Sequence, residues 1–227
     1  MTDTDQNPDV RQRLAEAIRM LERAELMDHS GHASARRDGG SFYINSGASV
    51  RSALTAADIV AVDFDGVLLK GTAKPPLEFY IHAEIYRVRP DVSAIVHTHP
   101  RWSTALTMTG AAYRPVYAQG VLLGDIPVMD SPLSVNTKAM GERLASTLAG
   151  AQAVLLKSHG AVIVGSDVIE AFALATYLEE NARRQHLALQ IGEPYVLSDA
   201  EQEACRTNLW SRPLFAKAWE YYRSKLV

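Results

Sequence analysis

Two apolar runs in this chain end in histidine, and that pairing narrows the folds open to it. Ala94-Ile95-Val96 leads into His97-Thr98-His99-Pro100, and Ala153-Val154-Leu155-Leu156 leads through Lys157-Ser158 to His159-Gly160. Short apolar runs bounded by Gly or Pro read as strands covered on both faces. Such strands need a central sheet with helices on each side. His97 and His99 are two residues apart, so on a strand their side chains share a face. If the two runs lie side by side, His159 joins them and three imidazoles converge. Three histidines with an open fourth position form the ligand pattern of a catalytic divalent site. A His-x-His pair alone reads more readily as a capped or solvated strand end, His159 in matched context brings the two readings level, and spacing does not choose among Zn, Mn, Fe and Co.

The rest of the chain supplies the layers. Val10, Leu14, Ile18, Leu21 and Leu26 predict a helix over 10–28. Asp38-Gly39-Gly40 is a hairpin signal before a strand at Ser41–Asn45. Thr55 to Asp58 has capping-box spacing and reads as a helix start. Ile59–Phe64 reads as a strand, and Pro75-Pro76 precedes a helix from Leu77 to Val88. Further helices are expected over Trp102–Met108, from Ser134-Thr137 to Leu148, from Asp167 to Leu189, and from Asp199 to Leu226. Val116–Ile126 reads as short strand and loop, and Ala161–Val164 as a strand. Strands and helices mix without strict βαβ alternation. The expected fold is therefore a single-domain α/β/α sandwich over residues 10–227, with a mixed, largely antiparallel sheet and a flexible N-terminus over 1–9.

Composition removes several functional classes. At 227 residues, 47% hydrophobic and 22% charged, the chain is of ordinary globular make-up. A net charge of −3 provides no basic face for nucleic acid. No run approaches the roughly 18 apolar residues of a membrane helix. Cys205 is a lone thiol, and the polar start, Met1 to Asp9, lacks the apolar stretch of a secretory signal. A cytoplasmic protein acting on a small molecule is expected.

The stretch Arg89-Pro90-Asp91 through His97-Thr98-His99, together with Lys157-Ser158-His159-Gly160, resembles the class II aldolase/adducin family over about residues 10–225. The resemblance implies a divalent metal, usually zinc and otherwise Mn2+, Fe2+ or Co2+, on His97, His99 and His159. It implies an acid/base glutamate 19 residues before the first of these, which here is Glu78. Related epimerases carry Asp there, so Glu78 favours carbon–carbon lyase chemistry. Without the resemblance, Glu78 reads as a carboxylate stabilised at a helix start. His82 matches a family histidine that holds the carboxylate in place. The resemblance also implies a homotetramer with sites at subunit interfaces, to which Tyr117 is lent by a neighbouring subunit. Adducin-like members of the same fold are non-catalytic, but they lack the full histidine set.

Departures from the family bear on substrate. Its sugar-phosphate aldolases hold phosphate through a Gly-Asn pair, a Thr/Ser-Gly pair and a Ser-Ser pair, which here are Gly31-His32, Ser46-Gly47 and Pro76-Leu77. The last change removes two hydroxyl donors, and Pro76 has no N–H. Gly31-His32-Ala33-Ser34-Ala35-Arg36 is similar to branches that act on unphosphorylated substrates, including decarboxylases of acids such as 3,4-dihydroxyphthalate. The expected substrate-binding residues are Gly31, His32, Ser46, Gly47 and Arg36, with Phe42, Leu77 and Phe79 as apolar neighbours. Arg51, Arg101 and Lys157 are candidate anion binders. The expected reaction is decarboxylation of a hydroxylated, aromatic carboxylate, with retro-aldol cleavage of an unphosphorylated hydroxy-ketone or hydroxy-acid as the alternative.

Overall fold

The computed structural model describes residues 8–226. Of the expected N-terminal arm, residues 1–7 lie outside the described residues, whereas Pro8 and Asp9 already belong to the first helix. The strands are β1 (His32–Arg37), β2 (Ser41–Asn45), β3 (Ile59–Asp63), β4 (Leu68–Lys70), β5 (Ala94–Thr98), β6 (Val128–Met129), β7 (Ala153–Leu156) and β8 (Gly160–Gly165). The helices are α1 (Pro8–Arg23), α2 (Phe79–Val88), α3 (Arg101–Thr109), α4 (Lys138–Leu148), α5 (Val168–Leu189), α6 (Asp199–Leu209) and α7 (Arg212–Arg223).

The strands form one eight-stranded sheet in the order β4-β3-β2-β1-β5-β8-β7-β6. Every pairing is antiparallel except that of β6 with β7. Side-chain alternation feeds two cores. Phe42, Val62, Ile95, Val154 and Val162 pack on one face with Ile81 and Ile85 of α2 and Leu144 and Leu148 of α4. Tyr43, Ala61, Val96, Leu155 and Ile163 pack on the other with Leu14 and Ile18 of α1, Phe172 of α5 and Trp219 of α7. A fully buried Leu or Ile contributes about 1.5–3 kcal/mol, so both faces are firmly held. The α/β/α sandwich with a mixed, largely antiparallel sheet is borne out.

Four expectations need correction. First, the helix expected over 10–28 ends at Arg23, where Glu25 takes a positive φ of 59°; Leu26 is still buried, but through a turn. Second, Thr55 to Asp58 does form the capping box, but it closes a single 3-10 turn that runs straight into β3. Third, Val116–Ile126 contains no strand, and its centre is a 3-10 segment, Ala118–Leu123. The backbone before it pairs with side chains of α5 instead of a sheet: Asn181 Oδ1 accepts from the N–H groups of Val116 and Tyr117, and Gln185 Oε1 accepts from that of Arg114. Fourth, the last helix is two, α6 and α7, broken before Pro213 at the start of α7.

The two histidine-tipped strands are not neighbours. β8 lies between β5 and β7, and His159 reaches the end of β5 from the tight β7–β8 turn. Ser158 in that turn has φ 54°, and its N–H donates to Thr107 of α3. Gly160 lets the turn fit: a Cβ there would sit 2.3 Å from the Thr98 carbonyl oxygen and 2.9 Å from the His99 ring. Gly160→Ala is therefore expected to lower stability by about 1–3 kcal/mol and to displace His99, read as a lower denaturation midpoint together with weaker metal binding. An alanine variant that matches wild type in both would show that the turn has slack.

Candidate metal centre

β5 carries His97 on the face that looks toward α2, directly opposite His32 of β1 and Val162 of β8. His99 follows just past the strand, and Pro100 then starts α3. The α3 N-terminus is held by Glu179 of α5, whose carboxylate accepts from the N–H groups of Trp102 and Ser103 and from the Ser103 hydroxyl. The rings of His97, His99 and His159 lie with centroids 4.8, 5.1 and 5.2 Å apart. One ligand atom from each, together with a Glu78 oxygen, falls within 4.8 Å of the others. The convergence of the three histidines with Glu78 is what the sequence led one to expect.

The second nitrogens show that these residues suit a cation. His97 Nδ1–H donates to the Ala161 carbonyl at 3.1 Å, which leaves Nε2 with only a lone pair. That nitrogen is fully buried, has no hydrogen-bond partner among the described residues, and faces Glu78 Oε2 at 3.5 Å. A lone pair facing a carboxylate is unfavourable unless a positive charge lies between them. His99 Nδ1–H donates to Asp28 at 2.8 Å, which likewise leaves its Nε2 bare. His159 Nε2 lies 3.8 Å from Glu78 Oε1. Imidazoles anchored through one nitrogen with the other turned inward are the usual supporting arrangement of a metal site. The His/Glu cluster is thus consistent with a divalent metal of the kind class II aldolases use.

Electrostatics agree. Burial is the main cause that pushes His99 and His159 below their ordinary pKa, against the carboxylates of Asp28 and Glu78. Neutral imidazoles are the form a cation requires. Burial opposes ionisation of Glu78, and the hydrogen-bond donors at its Oε1 favour the carboxylate against it. Oε1 of Glu78 accepts the Ser134 hydroxyl and the Val135 N–H, each at 2.9 Å. The group is a positioned carboxylate that can accept a proton.

The pocket beside the cluster is lined by His32, Gly47, Arg51, Pro76, Leu77 and Glu78. Gly31 adjoins it: a Cβ there would meet Met27, and its carbonyl accepts from Arg51 Nε. Ser46 is buried nearby, and its carbonyl accepts from Arg51 Nη1. The Gly47 N–H is committed to the Lys74 carbonyl at 3.0 Å. Arg36 does not join the pocket: its guanidinium donates to the carbonyls of Val92, Tyr86 and Arg89, so its role is to tie down the end of α2. Phe42 lies in the core beneath His82, and Phe79 packs under Gly66, which leaves Leu77 as the apolar side chain at the mouth. Tyr117 lies with Tyr177, Tyr221 and Tyr222 along a separate groove, under the guanidinium of Arg184. Of the other basic candidates, Arg101 pairs with Glu25 and Lys157 with Asp130, both at the surface.

Sequence reasoning missed Asp28 and Tyr86. Asp28 was legible as an Asx turn, since Asp28-His29-Ser30-Gly31 places two N–H groups where its carboxylate accepts them. Asp28→Asn is expected to weaken metal binding 10- to 100-fold, and His97→Ala to abolish stoichiometric metal, both measured by chelator competition and elemental analysis. Unchanged affinity in both variants would remove the centre from this face.

A model of the Class II Aldolase and Adducin N-terminal domain matches residues 12–186. The chain is 32% identical over 178 residues to the 5-methylthioribulose-1-phosphate/5-deoxyribulose-1-phosphate aldolase of Rhodospirillum rubrum, covering 77% of this chain and 78% of the relative. It is 29% identical over 159 residues to the 3,4-dihydroxyphthalate decarboxylase of Rhodococcus jostii, covering 65% of each. A solved L-fuculose 1-phosphate aldolase superposes with a TM-score of 0.80 at 28% identity, covering 88% of this chain and 95% of that one. Fold, histidine cluster and matched span agree, and the chain belongs to the class II aldolase/adducin family as a carbon–carbon lyase.

Proposed function

We propose that this lyase decarboxylates a hydroxylated aromatic carboxylic acid. The observation that carries the reading is the pocket mouth. Pro76 has no N–H, the Gly47 N–H is already bonded to Lys74, and Leu77 presents an apolar side chain that is 80% exposed. A phosphate dianion needs several charge-assisted donors, whereas a flat ring edge suits an apolar rim. Deeper in, His32 and Arg51 face the pocket and suit an anionic oxygen. The likeness to a 3,4-dihydroxyphthalate decarboxylase supports the same choice.

His97, His99 and His159 would hold the metal, zinc or another divalent transition ion. When bound, it supplies Lewis-acid stabilisation for charge that develops on adjacent substrate oxygens. Glu78 starts as the carboxylate and takes the proton of a substrate hydroxyl. It then returns that proton to the ring carbon that bears the leaving group. The carbon–carboxylate bond breaks, its electron pair stays with the ring system, and CO2 departs. In retro-aldol cleavage, the second reading, the same carboxylate takes a hydroxyl proton and two carbonyl-type fragments result. The likeness to the Rhodospirillum aldolase favours that alternative. Tyr117 is assigned to a neighbouring subunit's site in a homotetramer, since within one chain it stands on a different groove from the cluster.

Two experiments test this. The metal-loaded protein, given hydroxylated aromatic acids and sugar phosphates in parallel, should release CO2 with one retained fragment from an aromatic acid. Glu78→Gln should lower kcat by about 10²- to 10⁴-fold with metal content intact. Turnover or thermal stabilisation confined to sugar phosphates would refute the substrate class. Light scattering should give a tetramer, and Tyr117→Phe should reduce kcat; a fully active monomer would leave Tyr117 with no part in the chemistry.

A further inference from the structure

His32 and His97 face each other across the β1–β5 pair, with ring centroids 4.9 Å apart. Their Nδ1 atoms are engaged in opposite ways. His97 Nδ1 meets a carbonyl, which only accepts, so that ring must carry its proton there. His32 Nδ1 meets His82 Nε2 at 2.7 Å, and either nitrogen can be the donor. The choice is made farther along a buried chain. His82 Nδ1 meets the Ser34 hydroxyl at 2.6 Å, and Ser34 meets the Tyr86 hydroxyl at 2.8 Å.

Only one direction gives every proton between Tyr86 and His32 an acceptor, and it leaves the end of the chain, His32 Nε2–H, beside the pocket with the Glu78 carboxylate 3.6 Å away. If Tyr86 O–H donates to Ser34, then Ser34 O–H donates to His82 Nδ1, and His82 Nε2–H donates to His32 Nδ1. His32 then carries its own proton on Nε2. In the reverse direction, Ser34 O–H points at the Tyr86 oxygen, and the Tyr86 proton has no acceptor among the described residues. That phenol is buried, and burial pushes its pKa up, so the proton stays on it. A buried donor left without an acceptor carries the full desolvation penalty. The forward direction is the stable one.

The consequence falls on the pocket. His32 Nε2 is buried, has no hydrogen-bond partner among the described residues, and lies 3.6 Å from Glu78 Oε2, beyond hydrogen-bond reach. His32 lines the pocket. We propose that His32 is a neutral hydrogen-bond donor to the substrate oxygen that gains negative charge, held in its Nε2–H form by the one-way chain Tyr86–Ser34–His82. Two adjacent imidazoles thus take opposite tautomers: His97 turns a lone pair toward a cation, and His32 turns a proton toward the substrate. His32 is a catalytic residue beside Glu78, and Ser34, His82 and Tyr86 are positioning residues. The assignment to a substrate oxygen rests on reading this pocket as the active site; the proton placement does not.

Neutron diffraction from crystals of the zinc-loaded protein in D2O locates the ring protons. The expected map has deuterium on Nε2 of both His32 and His82 and none on Nδ1 of either. Deuterium on His32 Nδ1 overturns the proposal whatever the substrate is, so its failure is distinct from failure of the decarboxylase reading. Ser34→Ala removes the directing hydroxyl and should divide the His32 deuterium between its nitrogens, with kcat/KM down about tenfold. A variant that keeps the wild-type proton position and rate removes the positioning role. His32→Ala should retain full zinc stoichiometry and lose about 10²- to 10³-fold in kcat/KM. Loss of zinc would make His32 a ligand, and an unchanged rate would take it out of the chemistry.

Discussion

The hydrogen bond from His97 Nδ1 to the Ala161 carbonyl ties the sheet to its chemistry. It joins β5 to β8 through a side chain, at a position where both strands are fully buried and neither ring nor carbonyl has water as a substitute partner. Turning the ring would break that bond in the core, where burial leaves no replacement. The ring therefore presents Nε2 in a constant direction, and the other members of the His/Glu cluster are arranged about that point. His99 is oriented by Asp28, Glu78 by Ser134 and Val135, and His159 by the β7–β8 turn.

Each of these supports comes from a different part of the chain, which explains why the fold is closed on both faces. Asp28 follows α1, Val135 precedes α4, and the β7–β8 turn leans on α3 through Thr107. α3 is in turn capped by Glu179 from the middle of α5. Packing of α2 and α4 on one face and of α1, α5 and α7 on the other places these groups to within hydrogen-bond tolerance. The two cores thus hold the site in register.

The parts legible in the sequence were those governed by local periodicity. Alternating apolar strands, helix starts and the shared face of His97 and His99 follow from periods of 2 and 3.6. The convergence of His159 with them was visible only as matched context, because it depends on strand order, and β8 lies between the two runs. The segment Val116–Ile126 was misread because the N–H groups of its first two residues bond Asn181, which lies 65 and 64 residues away in sequence. Arg36 looked like an anion binder from its neighbours in sequence, but on β1 it lies two residues beyond Ser34 and donates to three carbonyls of α2 and the α2–β5 connection. Tyr86 gave no sign of a role until α2 placed it one turn beyond His82, on the side facing Ser34.

Asp28 serves two masters. The same carboxylate oxygen that steadies His99 also accepts the N–H groups of Ser30 and Gly31, in the loop that enters β1 and carries the chain to His32. Any pull on His99 is thereby transmitted to the threshold of the cleft. The bearing of the His99 ring and the shape of the doorway are thus set by one oxygen atom.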